Sequence, residues 1–399
     1  MKFCVVIMDG ASGWPLPEHG DKTCLELAAT PNLDKMAGSG YMGVALTVPP
    51  GMEPGSAPAC MSVMGYDPIT YYRGRSAIEA RSAGVPVGPG EVTFRCNLVT
   101  VTEGRMVSYN AGEITTREAV AIIESLNEKL GSDQVSFFPG VNYRHICKIK
   151  GGEETLNAEC TPPHDISDRP VADYLPKGEG SALLRELMKR SEAVLANHPV
   201  NRDRKMVGKL PATTIWLFWG SGQIPEMPAF EQEYGLKASM TSGVDLLRGL
   251  AGMAGMEVLK IKGVTDSLDN DYNAQVNGAL DSLKRNDLTI IHIEAPDEMG
   301  HKGSVKDKVN AIEQIDSAVI SRLIARSDSD LKVLVMPDHP TPIKIRTHYA
   351  EPVPFLIWGK GIKHNHGARF TESEAGKTGV FVEPGYKIMS IFTRNQVNV

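Results

Sequence analysis

Residues 288–303 read LTIIHIEAPDEMGHKG. The run to Ala295 is short, apolar and closed by a proline, the pattern of a strand buried on both faces of a parallel sheet. Asp297 and His301 follow it four residues apart, so one helical turn after the strand aims both side chains the same way. The pattern recurs at 333–342, VLVMPDHPTP, where Asp338 and His339 come directly after an apolar run and before a proline. His348 follows on a polar loop within RTHYAEPVPFLIWG, residues 346–359. A parallel sheet presents its chemistry at the carboxyl ends of its strands. Carboxylate and imidazole together suit Zn²⁺ or Mn²⁺ better than Ca²⁺ or Mg²⁺. The stretch therefore reads as most of a two-metal site.

Outward from that stretch, FCVVIM at 3–8 is another continuous apolar run, and it ends at Asp9-Gly10. Strand-like segments at 44–50, 212–222, 258–264, 288–296 and around 333–336 alternate with helical ones at 30–40, 181–198, 240–256, 269–285 and 307–326. Such alternation predicts an α/β fold, a mostly parallel sheet flanked by helices. Between them lies GMEPGSAPACMSVMGYDP at 51–68, where Ser56 opens a small-residue helix. Helix N-termini favour anions, so Ser56 is the candidate nucleophile there, and Ser62 reads as packed or capping. Arg73, Arg75 and Arg81 fall close together, which reads as a solvated face or, with an anionic substrate in view, as a phosphate or carboxylate clamp.

The pattern changes after residue 85. A strand-like VTFRCNLVTV (92–101), a helix at 115–131 opened by a threonine cap, and two further strand-like segments form a block with its own alternation. We expect residues 85–180 to be an inserted α+β domain capping the substrate, with 1–84 and 181–399 forming the α/β core. The Pro/Gly-rich 162–180 is the expected return hinge, from which His164, Asp165 and Arg169 reach a substrate.

With 42% hydrophobic and 23% charged residues over 399, the chain is an ordinary globular one, long enough for two domains. A net charge of −6 argues against a broad nucleic-acid surface. No apolar run is long enough to span a membrane, and the N-terminus carries no signal peptide pattern, so a cytoplasmic location is expected. The six cysteines (Cys4, Cys24, Cys60, Cys96, Cys147, Cys160) include no CxxC pair and are expected to be reduced and packed.

Asp9-Gly10, Gly55-Ser56, DEMGH at 297–301, DH at 338–339 and THYAEPVPFLIWG at 347–359 occur in an order that resembles the alkaline phosphatase superfamily. More narrowly, PPGMEPGSAP, GYDPITYYRGRSAIEA, FRCNLVTV and HIEAPDEMGHKG resemble the archaeal-type 2,3-bisphosphoglycerate-independent phosphoglycerate mutases. The likeness covers nearly the whole chain. It implies an alkaline phosphatase-like core and interconversion of 3- and 2-phosphoglycerate through a phosphoserine at Ser56. By the same likeness, Asp9, Asp338, His339 and the Ser56 oxygen hold one divalent metal, and Asp297, His301 and His348 hold the other. Mn²⁺ is the first choice, with Zn²⁺, Co²⁺ or Mg²⁺ as alternatives, and no 2,3-bisphosphoglycerate is needed. Arg73, Arg75, Arg95 and Arg169 are then expected to hold the carboxylate and phosphate of a small phosphorylated anion. Three positions depart from the family pattern: Ala57 where an acid is common, Cys60 where an amide or imidazole is, and Arg248 for lysine. A homoserine kinase-like phosphotransferase or a phosphatase of the same fold is the alternative. The absence of a GxxxxGK[ST] loop weighs against a P-loop kinase and leaves phosphate donation through Ser56 open.

Overall fold

The computed structural model describes residues 1–326, 330–365 and 367–394. Its strands are β1 (Lys2–Met8), β2 (Tyr41–Ala45), β3 (Glu91–Thr102), β4 (Arg105–Ser108), β5 (Val135–Phe138), β6 (Arg144–Lys150) and β7 (Thr214–Ser221), followed by β8 (Ala238–Thr241), β9 (Glu257–Val258), β10 (Leu288–Ile293), β11 (Leu331–Met336), β12 (Val353–Gly359) and β13 (Phe381–Val382). They divide between two compact units, residues 1–72 with 226–399, and residues 73–225.

The first unit contains an eight-stranded sheet in the order β13-β2-β12-β11-β1-β10-β8-β9. All its pairings are parallel except β11 with β12 and β12 with β2. It is the mostly parallel α/β sheet expected. Residues 4–8 are wholly buried because helices cover both faces, which is why the run is apolar without alternation. Register decides where the chemistry sits. Met8 pairs with Ile293 and Ile7 with Met336, so β1, β10 and β11 end level. β12 runs antiparallel to β11, so the connection carrying His348 stays at that same edge. The C-terminal Ala45 of β2 pairs with Val353, the first residue of β12, so the loop leading to Ser56 also departs from that edge.

The second unit is an antiparallel sheet, β4-β3-β6-β5, with β7 on the other side of β3. Its core joins Val92, Phe94, Leu98, Ile122, Leu126, Leu187, Trp216 and Phe218. The expected domain boundaries are therefore corrected. The insert is not 85–180: the helix Arg75–Ser82, the helix Ser181–Ala196 and β7 belong to it, and the chain returns after Pro225. An apolar run such as TIWLFWGS looks the same in any buried strand, and only its pairing with β3 assigns it to the insert. Residues 162–180 are likewise no hinge; Glu159 bridges Lys177 and Arg105 bridges Pro170 inside this unit. Among the described residues, no helix is long and apolar enough to cross a membrane.

Candidate metal centre and anion-binding cluster

Asp9 leaves β1 into a turn at Gly10, whose φ of +58° and surroundings exclude a side chain: a Cβ there would lie 2.4 Å from Asp297 Oδ1. The Gly10 N–H donates to Asp338 Oδ1 (3.1 Å), as does the His339 N–H (2.9 Å). His339 Nε2 lies 3.5 Å from Asp9 Oδ1, 3.4 Å from Asp338 Oδ2 and 3.3 Å from Ser56 Oγ. Ser56 is the first residue of the helix Ser56–Val63, where the first-turn N–H groups have no intrahelical partner. Ser62 is buried and donates to the Thr47 carbonyl, so it is a packed residue. Cys60 is buried with its thiol donating to Asp338 Oδ2 (3.4 Å); burial, then the Asp338 charge, pushes it well above the usual thiol range and leaves it inert.

The helix Ala295–Lys302 places His301 Nε2 3.1 Å from Asp297 Oδ2, the i,i+4 contact read from the sequence. His348 Nε2 is 3.6 Å from Asp297 Oδ1 and 3.0 Å from His301 Nε2. His301 Nδ1–H donates a hydrogen bond to the Arg346 carbonyl (2.9 Å), which turns Nε2 toward the cluster. Thr341 donates to Asp297 Oδ1, and the buried Lys308 Nζ holds the Thr341 carbonyl at 2.7 Å and that of Ser12 at 3.2 Å. The His339 and His348 rings, 4.3 Å apart, join the two groups.

The electrostatics call for added positive charge. Burial, then the charges of Asp338 and Asp297, push Asp9 well above the ordinary carboxylate range, and Asp9 Oδ1 is buried without a hydrogen-bond partner. Burial would also raise Asp297, but its hydrogen bonds from His301 and His348 hold it well below. His301, despite burial, is pushed up to about 9 by Asp297. Burial draws His339 down to about 4, keeping its lone pair. In each of the groups Asp9–Asp338–His339 and Asp297–His301–His348, one ligand atom per residue lies within 4.8 Å of the others. The orphaned Asp9 oxygen, the neutral His339 imidazole and the converging carboxylate and imidazole donors of Asp297, His301 and His348 fit a divalent cation, whose binding would displace the His301 proton.

Sequence reasoning missed His292 and Glu294. His292 Nε2 donates to Asp9 Oδ2 (2.7 Å) while its Nδ1 meets Ser242 Oγ (3.0 Å), so the ring orients Asp9. Glu294 is raised well above its ordinary range by burial, then by Asp9 and Asp297. A histidine inside an otherwise apolar strand was the available signal.

In the second unit, Arg75 and Arg95 converge on Trp219, with guanidinium carbons 4.1 and 5.4 Å from its ring centroid. His164 stands edge-on to the same ring at 5.7 Å, and Asp165 Oδ1 lies 3.7 Å from His164 Nε2. Arg95 makes a bidentate pair with Glu79, both contacts 2.7 Å. Burial, with Arg75 and Arg144 charges nearby, lowers the Arg95 pKa. Arg144 is a member sequence reasoning missed. Arg73 is exposed just before the helix Arg75–Ser82, and Arg169 is exposed and donates to the Tyr174 hydroxyl (3.4 Å).

Residues 37–201 match the family model described as 2,3-bisphosphoglycerate-independent phosphoglycerate mutase. A Methanothrix thermoacetophila protein of that name is 45% identical over 382 residues, covering 95% of this chain and 96% of the relative. A solved Pyrococcus horikoshii protein superposes with a TM-score of 0.81 at 26% identity, over 98% of this chain and 96% of that one. The cofactor-independent phosphoglycerate mutase of Thermoplasma acidophilum shares the fold, with a TM-score of 0.65 at 23% identity over 99% and 100% of the two chains.

Proposed function

The chain belongs to the 2,3-bisphosphoglycerate-independent phosphoglycerate mutase family, and from that premise we propose that it interconverts 3-phosphoglycerate and 2-phosphoglycerate through a phosphoserine at Ser56. The observation that carries the proposal is Ser56 Oγ at a helix N-terminus, 3.3 Å from His339 Nε2 and beside the Asp9–Asp338–His339 donor set.

In this reading Asp9, Asp338, His339 and Ser56 Oγ would hold one cation and Asp297, His301 and His348 a second, with Mn²⁺ the first candidate and Zn²⁺, Co²⁺ or Mg²⁺ as alternatives. When bound, such cations lower the pKa of the serine hydroxyl and steady the charge on phosphoryl and leaving oxygens. Ser56 Oγ attacks the phosphorus, the bond to the substrate's 3-oxygen breaks, and the serine proton ends on that oxygen. Glycerate stays bound and turns. Its 2-oxygen then attacks the phosphoserine, the bond from phosphorus to Ser56 Oγ breaks, and the 2-hydroxyl proton passes to Ser56 Oγ. The helix N–H groups offset charge on the transferring group. Arg73, Arg75, Arg95 and Arg169 of the insert are proposed to hold the substrate's carboxylate and phosphate, with His164 and Asp165 reaching the substrate beside them, and so to keep glycerate from leaving. No 2,3-bisphosphoglycerate is required, because the phosphoryl group returns from the enzyme itself. A cytoplasmic location is proposed with this role.

Purified enzyme with Mn²⁺ and 3-phosphoglycerate should form 2-phosphoglycerate, and acid quenching should trap phosphate on Ser56. Release of inorganic phosphate without the isomer would replace the mutase by a phosphatase.

A further inference from the structure

One aromatic residue in the insert is held in a backbone conformation that bulky side chains rarely adopt. Trp219 has a φ of +50°. The cause lies in the pairing of β7 with β3, where Arg95 faces Phe218 and Thr93 faces Ser221. Trp219 and Gly220 together oppose Phe94 alone, which is a bulge. A side chain at Gly220 would run into the Phe94 ring, 2.5 Å from its nearest atom, so the bulged backbone is pressed against the core. Glycine or asparagine would suit position 219 better on conformational grounds. What the tryptophan supplies is a ring face at that point.

That face is used. The Arg75 guanidinium lies over it at 4.1 Å and Arg95 at 5.4 Å, while the Phe218 ring packs 4.6 Å away and braces the indole. Arg95 is also fixed by the Glu79 carboxylate, whereas among the described residues no carboxylate pairs with Arg75, and its buried Nε lacks a hydrogen-bond partner. The indole thus fixes the plane of Arg75 without neutralising its charge, as a carboxylate would. Arg75 and Arg95 converge on this ring with the Arg144 charge bearing on Arg95, while Glu79 pairs with Arg95 and Asp165 sits beside His164, and the remaining positive charge suits an anion.

We propose that Trp219 is a positioning residue for the mutase reaction: it holds the Arg75 guanidinium, and through it the anionic end of phosphoglycerate, in a fixed plane. The inference rests on the reading above that these arginines grip the substrate.

The test is steady-state kinetics of the Mn²⁺-loaded enzyme for Trp219→Asn, Trp219→Tyr, Arg75→Ala and the Arg75→Ala/Trp219→Asn double variant, with thermal melting to establish folding. Asparagine tolerates the backbone but offers no ring. Loss of one partly desolvated cation–π contact should raise KM for 3-phosphoglycerate about tenfold, with kcat changed by less than about twofold. Tyrosine should restore most of the loss, and the double variant should be no worse than Arg75→Ala alone. If Arg75→Ala raises KM and a folded Trp219→Asn does not, the inference fails and the arginine anchor stands. If Arg75→Ala leaves KM unchanged, the anchor reading fails and takes the inference with it. Multiplicative losses in the double variant would show that Trp219 acts without Arg75, which also overturns the proposal. Should the asparagine variant not fold, Trp219→Gly, which the same φ favours, takes its place with the same expected outcomes.

Discussion

The strand-end cluster of the first unit and the arginine–tryptophan cluster of the second solve opposite electrostatic problems. The first gathers Asp9, Asp338 and Asp297 where burial and mutual repulsion push Asp9 well above its ordinary range. The second gathers Arg75 and Arg95 on the Trp219 ring, with the Arg144 charge bearing on Arg95 and the Glu79 carboxylate pairing with Arg95. Each cluster is incomplete alone, one short of cations and the other short of an anion. They are also built differently. The acidic cluster hangs on the level ends of parallel strands and on backbone N–H groups. The basic cluster depends on side chains gripping one another: a bidentate pair, a stacked guanidinium and a bulge. Substitutions should therefore act mainly on chemistry and metal affinity in the first, and on stability and substrate affinity in the second.

The largest effect expected on that contrast is Ser56→Ala. Turnover should fall to background, a loss of about a thousandfold or more, with melting temperature unchanged, because the proposed nucleophile would carry the reaction and little packing. A variant retaining a tenth of wild-type activity would remove Ser56 from the acidic cluster's chemistry.

Acid should weaken the basic cluster's unit through His145. Burial, then the Arg95 charge, draws this imidazole down to about 3 from an unfolded value near 6.5. The folded pKa lies below the unfolded one, so its contribution to stability is present above about pH 6.5. It is lost as pH falls and is gone below about 3, on the order of 5 kcal/mol in all. Denaturant unfolding from pH 7 to 4 should show a shallower loss for His145→Gln than for wild type; equal slopes would sink the assignment.

Glu79→Gln tests the same unit from the charge side. Leaving buried Arg95 without its counter-charge should cost about 3 kcal/mol, read by denaturant melts of the insert. No change would mean that the pair is dispensable and that Trp219 alone fixes the arginines.

The smallest effect belongs to Thr341→Val. Its hydroxyl holds Asp297 Oδ1, and such outer supports are worth about tenfold or more in metal affinity. Titration with Mn²⁺ should show the weakening while the melting temperature of metal-free protein is kept. Unchanged affinity would mean that its helix and the His301 and His348 contacts orient Asp297 without the hydroxyl.

Much of the acidic cluster was legible in the sequence. A strand buried on both faces must be written as a continuous apolar run, so FCVVIM and VLVM announce their own ends, and the residues after them are Asp9, Asp338 and His339. The four-residue spacing of Asp297 and His301 likewise survives as a 3.1 Å contact, since helix geometry is local. Tertiary structure alone decided the rest. TIWLFWGS looks like any buried strand, and its pairing with β3 moved it, with residues 181–225, out of the expected core and into the insert. Arg75, Arg95, Arg144 and Trp219 are spread over nearly 150 residues, and no periodicity links them. Strand partners and bulges are chosen by contacts between distant segments, and a left-handed tryptophan is stable only where those contacts hold it.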